Sequence, residues 1–212
     1  MMDMKKFLCY AIGVVSSLCL LSCQKDDMKD GLFQQGTLLG NYEFVDLGLS
    51  VKWASCNIGA KKPYEFGDYY AWGETETKET YTFDNYQFQH TEILPVECDV
   101  ARAKMGDGWR MPTNAEVQEL LDKCEWRCCY YPKTKVYGYK VNKKGNSRNF
   151  IFLPFAGRVG GDNPEEIGES GYYWTTESLG AYPYALVVRI SGTTSCMNAY
   201  PVKGYTVRAV CD

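Results

Sequence analysis

The chain has 212 residues, 45% of them hydrophobic and 15% aromatic, with 17 tyrosines and a formal net charge of −3. That length fits one domain built on one core. The mildly acidic balance, without a basic cluster, excludes the phosphate neutralisation on which nucleic-acid affinity rests.

At the N-terminus, Lys5 and Lys6 precede an apolar run of 15 residues from Phe7 to Leu21. This is shorter than the roughly 20 residues a membrane-spanning helix needs. The basic start and extreme N-terminal position are the layout of a cleaved secretory segment. Gly13, the paired serines and the abrupt change to polar Gln24-Lys25-Asp26-Asp27 argue against a buried core helix. Leu20-Leu21-Ser22-Cys23 resembles the lipobox of a bacterial lipoprotein signal peptide. The resemblance implies a signal at residues 1–22 and a lipid on Cys23; Leu21 is bulky for its place, which leaves plain secretory cleavage nearby as the alternative. Two or more acyl chains make such an anchor durable. Gln24-Lys25-Asp26-Asp27 is similar to the lysine-plus-acidic signal that sends lipoproteins of Bacteroidetes-type bacteria to the outer face of the outer membrane. A solvated tether is the other reading. Loss of Lys5, Lys6 and Asp3 takes the basic residues from 23 to 21 and the acidic ones from 26 to 25, so the net charge moves from −3 to −4.

Residues 23–40 have little periodicity and are expected to form a flexible tether, leaving 41–212 as a single domain. Within it, Tyr42 to Val51 reads as a strand interrupted at Gly48 and continued by Lys52-Trp53-Ala54. Gly67-Asp68-Tyr69-Tyr70-Ala71-Trp72-Gly73 reads as strand and turn, and the polar residues 74–92 as a surface loop. A short helix is expected over Val100–Met105, ended by Gly106. Thr113 with Glu116 three residues on is a capping box, opening a helix that presents Val117, Leu120 and Leu121 on one face. Short strands follow at Tyr137–Val141, Phe150–Pro154, Gly171–Thr176, Ala185–Ile190 and Gly204–Val210. Many short strands with one or two central helices predict an α+β domain rather than a parallel α/β one. Seven cysteines lie beyond Cys23: Cys56, Cys98, Cys124, Cys128, Cys129, Cys196 and Cys211. An odd number leaves at least one unpaired or bonded between molecules. Without a C-x-x-C pair and with only His90 as a histidine, Cys124, Cys128 and Cys129 read as structural or free thiols, not a zinc site.

Six blocks carry a family resemblance in order: Tyr42 to Ala54, Gly67 to Glu74, Gly108-Trp109-Arg110-Met111-Pro112-Thr113 with Glu116, Phe152 to Gly157, Gly171-Tyr172-Tyr173-Trp174-Thr175, and Val207-Arg208-Ala209-Val210. Together they resemble the Fibrobacter succinogenes major paralogous domain over roughly residues 42–211. That family is similar to the C-type-lectin-like fold, also used by formylglycine-generating enzymes. The resemblance implies that the first and last strands pair, with Tyr42–Leu49 beside Tyr205–Cys211. It carries no agreed catalytic residues.

Trp53, Trp109 and Trp174 read as core aromatics, and Arg110 and Arg208 as partners of internal acids rather than of a ligand carboxylate. Asp162, Asn163, Glu165, Glu166 and Glu169 are dense enough to supply some of the oxygens calcium takes. The lectin triplets Glu-Pro-Asn and Trp-Asn-Asp are absent, and Asn163-Pro164-Glu165 resembles the first only superficially, so a solvated acidic loop is the expectation and no cofactor is assigned. No nucleophile and base pair can be assembled around His90, so the chain reads as a non-enzyme. Tyr182, Tyr184 and Tyr200, with the polar Ser191–Asn198 turn, form an adaptable contact face or merely cover the sheet. The expected function is a lipid-anchored envelope recognition module whose partner is a glycan or a protein. A structural subunit of a surface assembly is the alternative, ahead of a divergent relative of formylglycine-generating enzymes.

Overall fold

The computed structural model describes residues 26–27, 36–89 and 91–212. Residues 1–22, read above as a signal segment, together with Cys23 and His90, lie outside the described residues. In chain order the strands and helices are β1 (Asp26–Asp27), β2 (Thr37–Leu39), β3 (Tyr42–Val45), β4 (Lys52–Ala54), α1 (Val100–Met105), α2 (Asn114–Lys123), β5 (Cys124–Tyr131), β6 (Val136–Lys143), β7 (Ile151–Pro154), β8 (Arg158–Gly160), β9 (Asn163–Glu165), β10 (Ser170–Leu179), β11 (Tyr182–Arg189), β12 (Thr194–Asn198) and β13 (Val210–Cys211). The sheets are small, in the orders β1-β5-β6-β7, β10-β11-β12, β13-β4-β3-β2 and β8-β9. Apart from β1, which runs parallel to β5, these strands pair antiparallel, and the few helices make this an α+β arrangement.

Pairing begins earlier than composition suggests. Thr37 lies opposite Phe44 and Leu39 opposite Tyr42, so the last part of the expected tether is the outer strand of a hairpin. Asp26 and Asp27 also pair with Cys129 and Tyr130, using backbone groups that the edge of β5 leaves free.

The two helices form where their caps are written. Asp99 caps α1: its Oδ1 accepts from the amides of Ala101 and Arg102 at 2.8 and 3.3 Å, and its Oδ2 from the Met111 amide at 2.9 Å. At α2 the Glu116 amide donates to Thr113 Oγ1 at 3.2 Å, and Glu116 Oε2 accepts from the Thr113 amide at 2.8 Å. Arg110 grips the same carboxylate with two bonds, at 2.8 and 2.6 Å, and reaches Asp212 at 3.2 Å. The helix passes directly into β5, its last carbonyls taken by Lys144: the amide donates to Lys123 O at 3.0 Å and Nζ to Asp122 O at 2.7 Å. Sequence patterning missed β5 because Glu125, Arg127 and three cysteines blur its alternation.

The sheet of β10 and β11 separates two cores. Tyr172, Trp174, Ala185 and Val187 face a cluster with Trp72, Trp109, Tyr205 and Val207. Tyr173, Leu186 and Val188 face the other, with Trp53, Val141, Leu153 and Phe155. Trp53, Trp109 and Trp174 are all buried. The indole of Trp174 stacks on Tyr205 at 4.2 Å and donates to Tyr70 O at 2.7 Å.

The C-terminal segment departs from the expected strand pair. The neighbour of β13 is β4, with Val210 opposite Trp53 and Cys211 opposite Lys52; β3 lies one strand further out. The Asp46–Ser50 turn, in which Gly48 has φ of 71° and its amide bonds Asp46 Oδ1 at 2.7 Å, folds β4 back so that its free edge receives the C-terminus. Residues 204–210 are also not one strand. Gly204 pairs with Val159, Tyr205 with Tyr70, Thr206 with Tyr173, and Val210 with Arg110, so the segment stitches successive loops together.

Arg208 lies in the middle of that segment and is 1% exposed. An acidic partner was expected. Instead Nε donates to Asn57 Oδ1 at 2.9 Å, one terminal nitrogen to Ala54 O at 3.1 Å and Ser55 O at 2.9 Å, and the other to Phe152 O at 2.8 Å. The carbonyls of Ala54 at the end of β4, Ser55 just after it and Phe152 within β7 take the place of an acid. By contrast Arg110 has the acidic partners that were expected, Glu116 and Asp212.

Burial pushes the Glu116 pKa upward, but the bonds from Arg110 and Thr113 outweigh it and hold the carboxyl below its ordinary value. A carboxyl depressed on folding stabilises above its unfolded pKa, and that contribution is lost as pH falls through the folded one. Glu116→Gln is therefore expected to cost about 1–2 kcal/mol in urea unfolding at neutral pH. Its deficit against the parent chain should shrink once pH drops below about 4.3.

Candidate functional site

The Thr/Glu-rich segment after Gly73 is long, polar and yet tightly fastened. Gly73 has φ of 81°, and a Cβ there would lie 2.4 Å from the Phe88 ring, so glycine lets the loop close on itself. Glu74 and Lys78 sit one helical turn apart in sequence and form an ion pair at 2.6 Å with side chains 13% and 20% exposed. Glu74 Oε1 also accepts from the Gln87 amide at 2.9 Å, and Lys78 Nζ donates to the Asn85 carbonyl at 2.5 Å. Asn85 closes the inner turn, accepting from the Thr82 amide at 3.2 Å and donating to Thr80 O at 2.8 Å. The hydroxyls of Tyr81 and Tyr86 donate to the carbonyls of Tyr69 and Trp72.

This framework presents Phe83 on a single 3-10 turn, Phe83–Asn85. The Phe83 ring meets Tyr200 edge to face at 6.4 Å and 83°, and Tyr200 meets Tyr182 likewise at 5.7 Å and 75°. Offset and edge-on contacts of this kind suit the quadrupoles of the rings. All three are exposed.

The β8–β9 hairpin joins the same end. The Tyr81 amide donates to Gly161 O at 2.7 Å and the Gly161 amide returns the bond at 3.0 Å, which brings Asp162 and Asn163 at the hairpin tip beside the loop. Glu165 is held by Arg158 at 2.8 Å and by Lys203 at 3.3 Å. Glu166 meets Arg158 at 2.9 Å and accepts from Tyr172 Oη at 2.6 Å. The Arg158 bond is the main cause that keeps Glu165 below the ordinary carboxylate range. Burial would raise Glu166, but Tyr172, Ser170 and Arg158 together hold it low. The same Glu166 carboxylate, after burial, helps push Tyr172 up to about 12.

Of the residues singled out from sequence, Tyr182 and Tyr200 touch, and Asp162 and Asn163 lie at the adjoining hairpin tip. Glu165 and Glu166 turn toward Arg158 and do not converge with Asp162. Among the described residues no group of three or more histidine, cysteine or acidic side chains is placed to hold a metal. Tyr184 is half-buried in β11 opposite Asn198, with its carbonyl accepting from Thr175 Oγ1 at 3.0 Å. It stands apart from the ring chain. The Ser191–Asn198 segment, read as a turn, supplies β12 instead. Phe83 escaped sequence reading, because it sits among Tyr81, Tyr86 and Phe88 in a Thr/Asp/Asn stretch and composition does not tell which of these rings is exposed.

Cys56, Cys98, Cys124, Cys196 and Cys211 are free thiols in the structure. Burial raises Cys56, Cys98 and Cys211, and pushes Cys124 and Cys196 up to about 11. Each of these five therefore favours the protonated form at neutral pH, the opposite of an activated nucleophile. A cleft of about 880 Å³ opens elsewhere, between the β2–β3 hairpin, residues 55–64 and Phe150–Phe152; Arg208 binds carbonyls on two of its walls.

No family model, curated protein or solved structure matches this chain.

The loop's geometry rests on the Glu74–Lys78 pair. Lys78→Met would leave the Glu74 carboxylate shielded from water without its cation, at a cost of about 1–3 kcal/mol. Hydrogen exchange at the Gln87 and Tyr81 amides should quicken at least about tenfold, while the amides of β10 and β11 keep their protection.

Proposed function

We propose that this chain is a lipid-anchored recognition module of the bacterial cell envelope, without catalytic activity, displayed on the outer membrane. The observation that carries the reading is the exposed ring chain Phe83–Tyr200–Tyr182, presented by a loop whose polar groups are bonded internally. Aromatic side chains offer a large contact area at low cost in conformational entropy, which suits them to adaptable binding faces. A loop already fixed in place also saves ordering entropy on association. The signal-like residues 1–22 and Cys23 support the lipid anchor, and the six ordered blocks support membership of the Fibrobacter succinogenes major paralogous domain family, with its C-type-lectin-like fold. The raised thiols and the carboxylates neutralised by Arg158 and Lys203 favour binding over covalent or metal-assisted chemistry.

The full chain, expressed in a Gram-negative host and labelled with an alkyne fatty acid, is expected to take up label and fractionate with the outer membrane. Cys23→Ser should abolish both. Reconstituted in nanodiscs and applied to glycan and peptide arrays, the parent should give discrete hits that Tyr200→Ala weakens by about tenfold or more, the scale of losing one aromatic anchor. Unlabelled protein, or an array without hits, contradicts the proposal.

A further inference from the structure

Five exposed hydrophobic side chains cluster at the loop end: Phe83 and Ile93 at 69% exposure, Leu179 at 63%, Tyr200 at 55% and Tyr182 at 48%. The ring chain joins the first aromatic to the β10–β11 hairpin, where Tyr182 lies opposite Leu179. Ile93 is bridged to Glu177 of the same hairpin, and the Ser178 amide and hydroxyl bond Glu92 O at 2.9 Å and Thr91 O at 2.7 Å. Exposed apolar surface that is contiguous, not scattered, marks an interaction site.

The charges around this band are one-sided. The cations at this end are already committed: Lys78 to Glu74, Lys104 to Glu76, and Lys203 to Glu165. Glu79, Asp84, Glu92 and Asp162 have no cationic partner among the described residues. Glu79 and Asp84 flank Phe83 in its own loop, Asp162 lies beyond the Tyr81–Gly161 pairing, and Glu92 precedes Ile93. The surface is thus aromatic and apolar along its length, with unneutralised carboxylates beside it.

We propose that this band docks a segment of a partner protein bearing lysine or arginine among apolar residues. The proposal rests on the recognition reading above and narrows its ligand class. Ammonium and guanidinium groups are attracted to ring faces, and they form charge-assisted bonds to carboxylates that are roughly twice as strong as neutral ones. Aliphatic residues of the partner cover Leu179 and Ile93. An anionic polymer meets repulsion here, and a neutral glycan gains nothing from the charge of the four carboxylates.

The full chain is reconstituted in nanodiscs of phosphatidylcholine, which carries no net charge. A fluorescent lysine–leucine repeat peptide is titrated by anisotropy, beside its glutamate–leucine counterpart and with cellohexaose as competitor. The lysine–leucine peptide is expected to bind, with affinity falling as salt rises, while the glutamate–leucine peptide does not bind and cellohexaose does not compete. Tyr200→Ala should weaken binding by about tenfold, the order of one cation–π contact plus its buried area. The exposed pair Glu79→Gln with Asp84→Asn should weaken it by a similar factor, about tenfold, without disturbing the fold. Failure of the lysine–leucine peptide to bind, unchanged binding in both variants, or displacement by cellohexaose overturns the proposal. A neutral glycan hit on the arrays that Tyr200→Ala abolishes would overturn it while leaving the recognition reading standing.

Discussion

Arg208 is a buried cation whose hydrogen bonds in the structure all run to neutral oxygen atoms, and three parts of the chain meet on it. Its guanidinium joins the end of β4, the loop at Asn57 and the carbonyl of Phe152 in β7 to the C-terminal segment. Removing a charge from water is expensive unless its donors are satisfied. Burial accordingly lowers the Arg208 pKa from its ordinary value. The planar fork of arginine matches four separate acceptors in fixed directions, which a single ammonium does not. The site therefore demands arginine for geometry, and the surrounding backbone is held to that geometry in return.

The neighbouring bonds extend the constraint toward the end that carries Phe83, Tyr182 and Tyr200. Residues 204–207 are pinned in succession, and Tyr205 both pairs with Tyr70 and stacks under Trp174. Gly204 pairs with Val159 of β8, whose hairpin tip is tied to Tyr81. The loop carrying Phe83 thus connects, through β8 and the C-terminal segment, to the two cores. In the recognition role proposed above, such a surface would use loops for variety and a rigid body for position.

Local signals in the sequence were strong where the chemistry was local. Gly106, Thr113 and Glu116 mark helix ends by signals that need no tertiary information, and both helices form there. The buried tryptophans were legible as core because indole burial has few alternatives. What was not legible depended on partners distant in sequence. The neutral partners of Arg208 are backbone carbonyls, which carry no residue-type signature. Exchange of β3 for β4 beside β13 depends on the turn at Gly48 and not on strand propensity. The strand β5 alternates charged, aromatic and thiol side chains, so its period was hidden. Tyr182 and Tyr200 were found as a candidate face, but Phe83, which completes it, comes from a loop whose fastening by Glu74, Lys78 and Asn85 depends on contacts across the loop. The acidic run after Gly161 read as a solvated loop because sequence does not reveal that Arg158 reaches Glu165 and Glu166 and that Lys203 reaches Glu165.

Substitution of Arg208 by lysine, followed by urea unfolding of the full chain in detergent, tests the central constraint most directly. Lysine keeps the charge and removes the fork. At least three of the four bonds then have no donor in place, and a loss of about 3 kcal/mol or more is expected, as for other disrupted buried charge networks. A loss within about 0.5 kcal/mol, the scale of ordinary surface substitutions, would contradict the account.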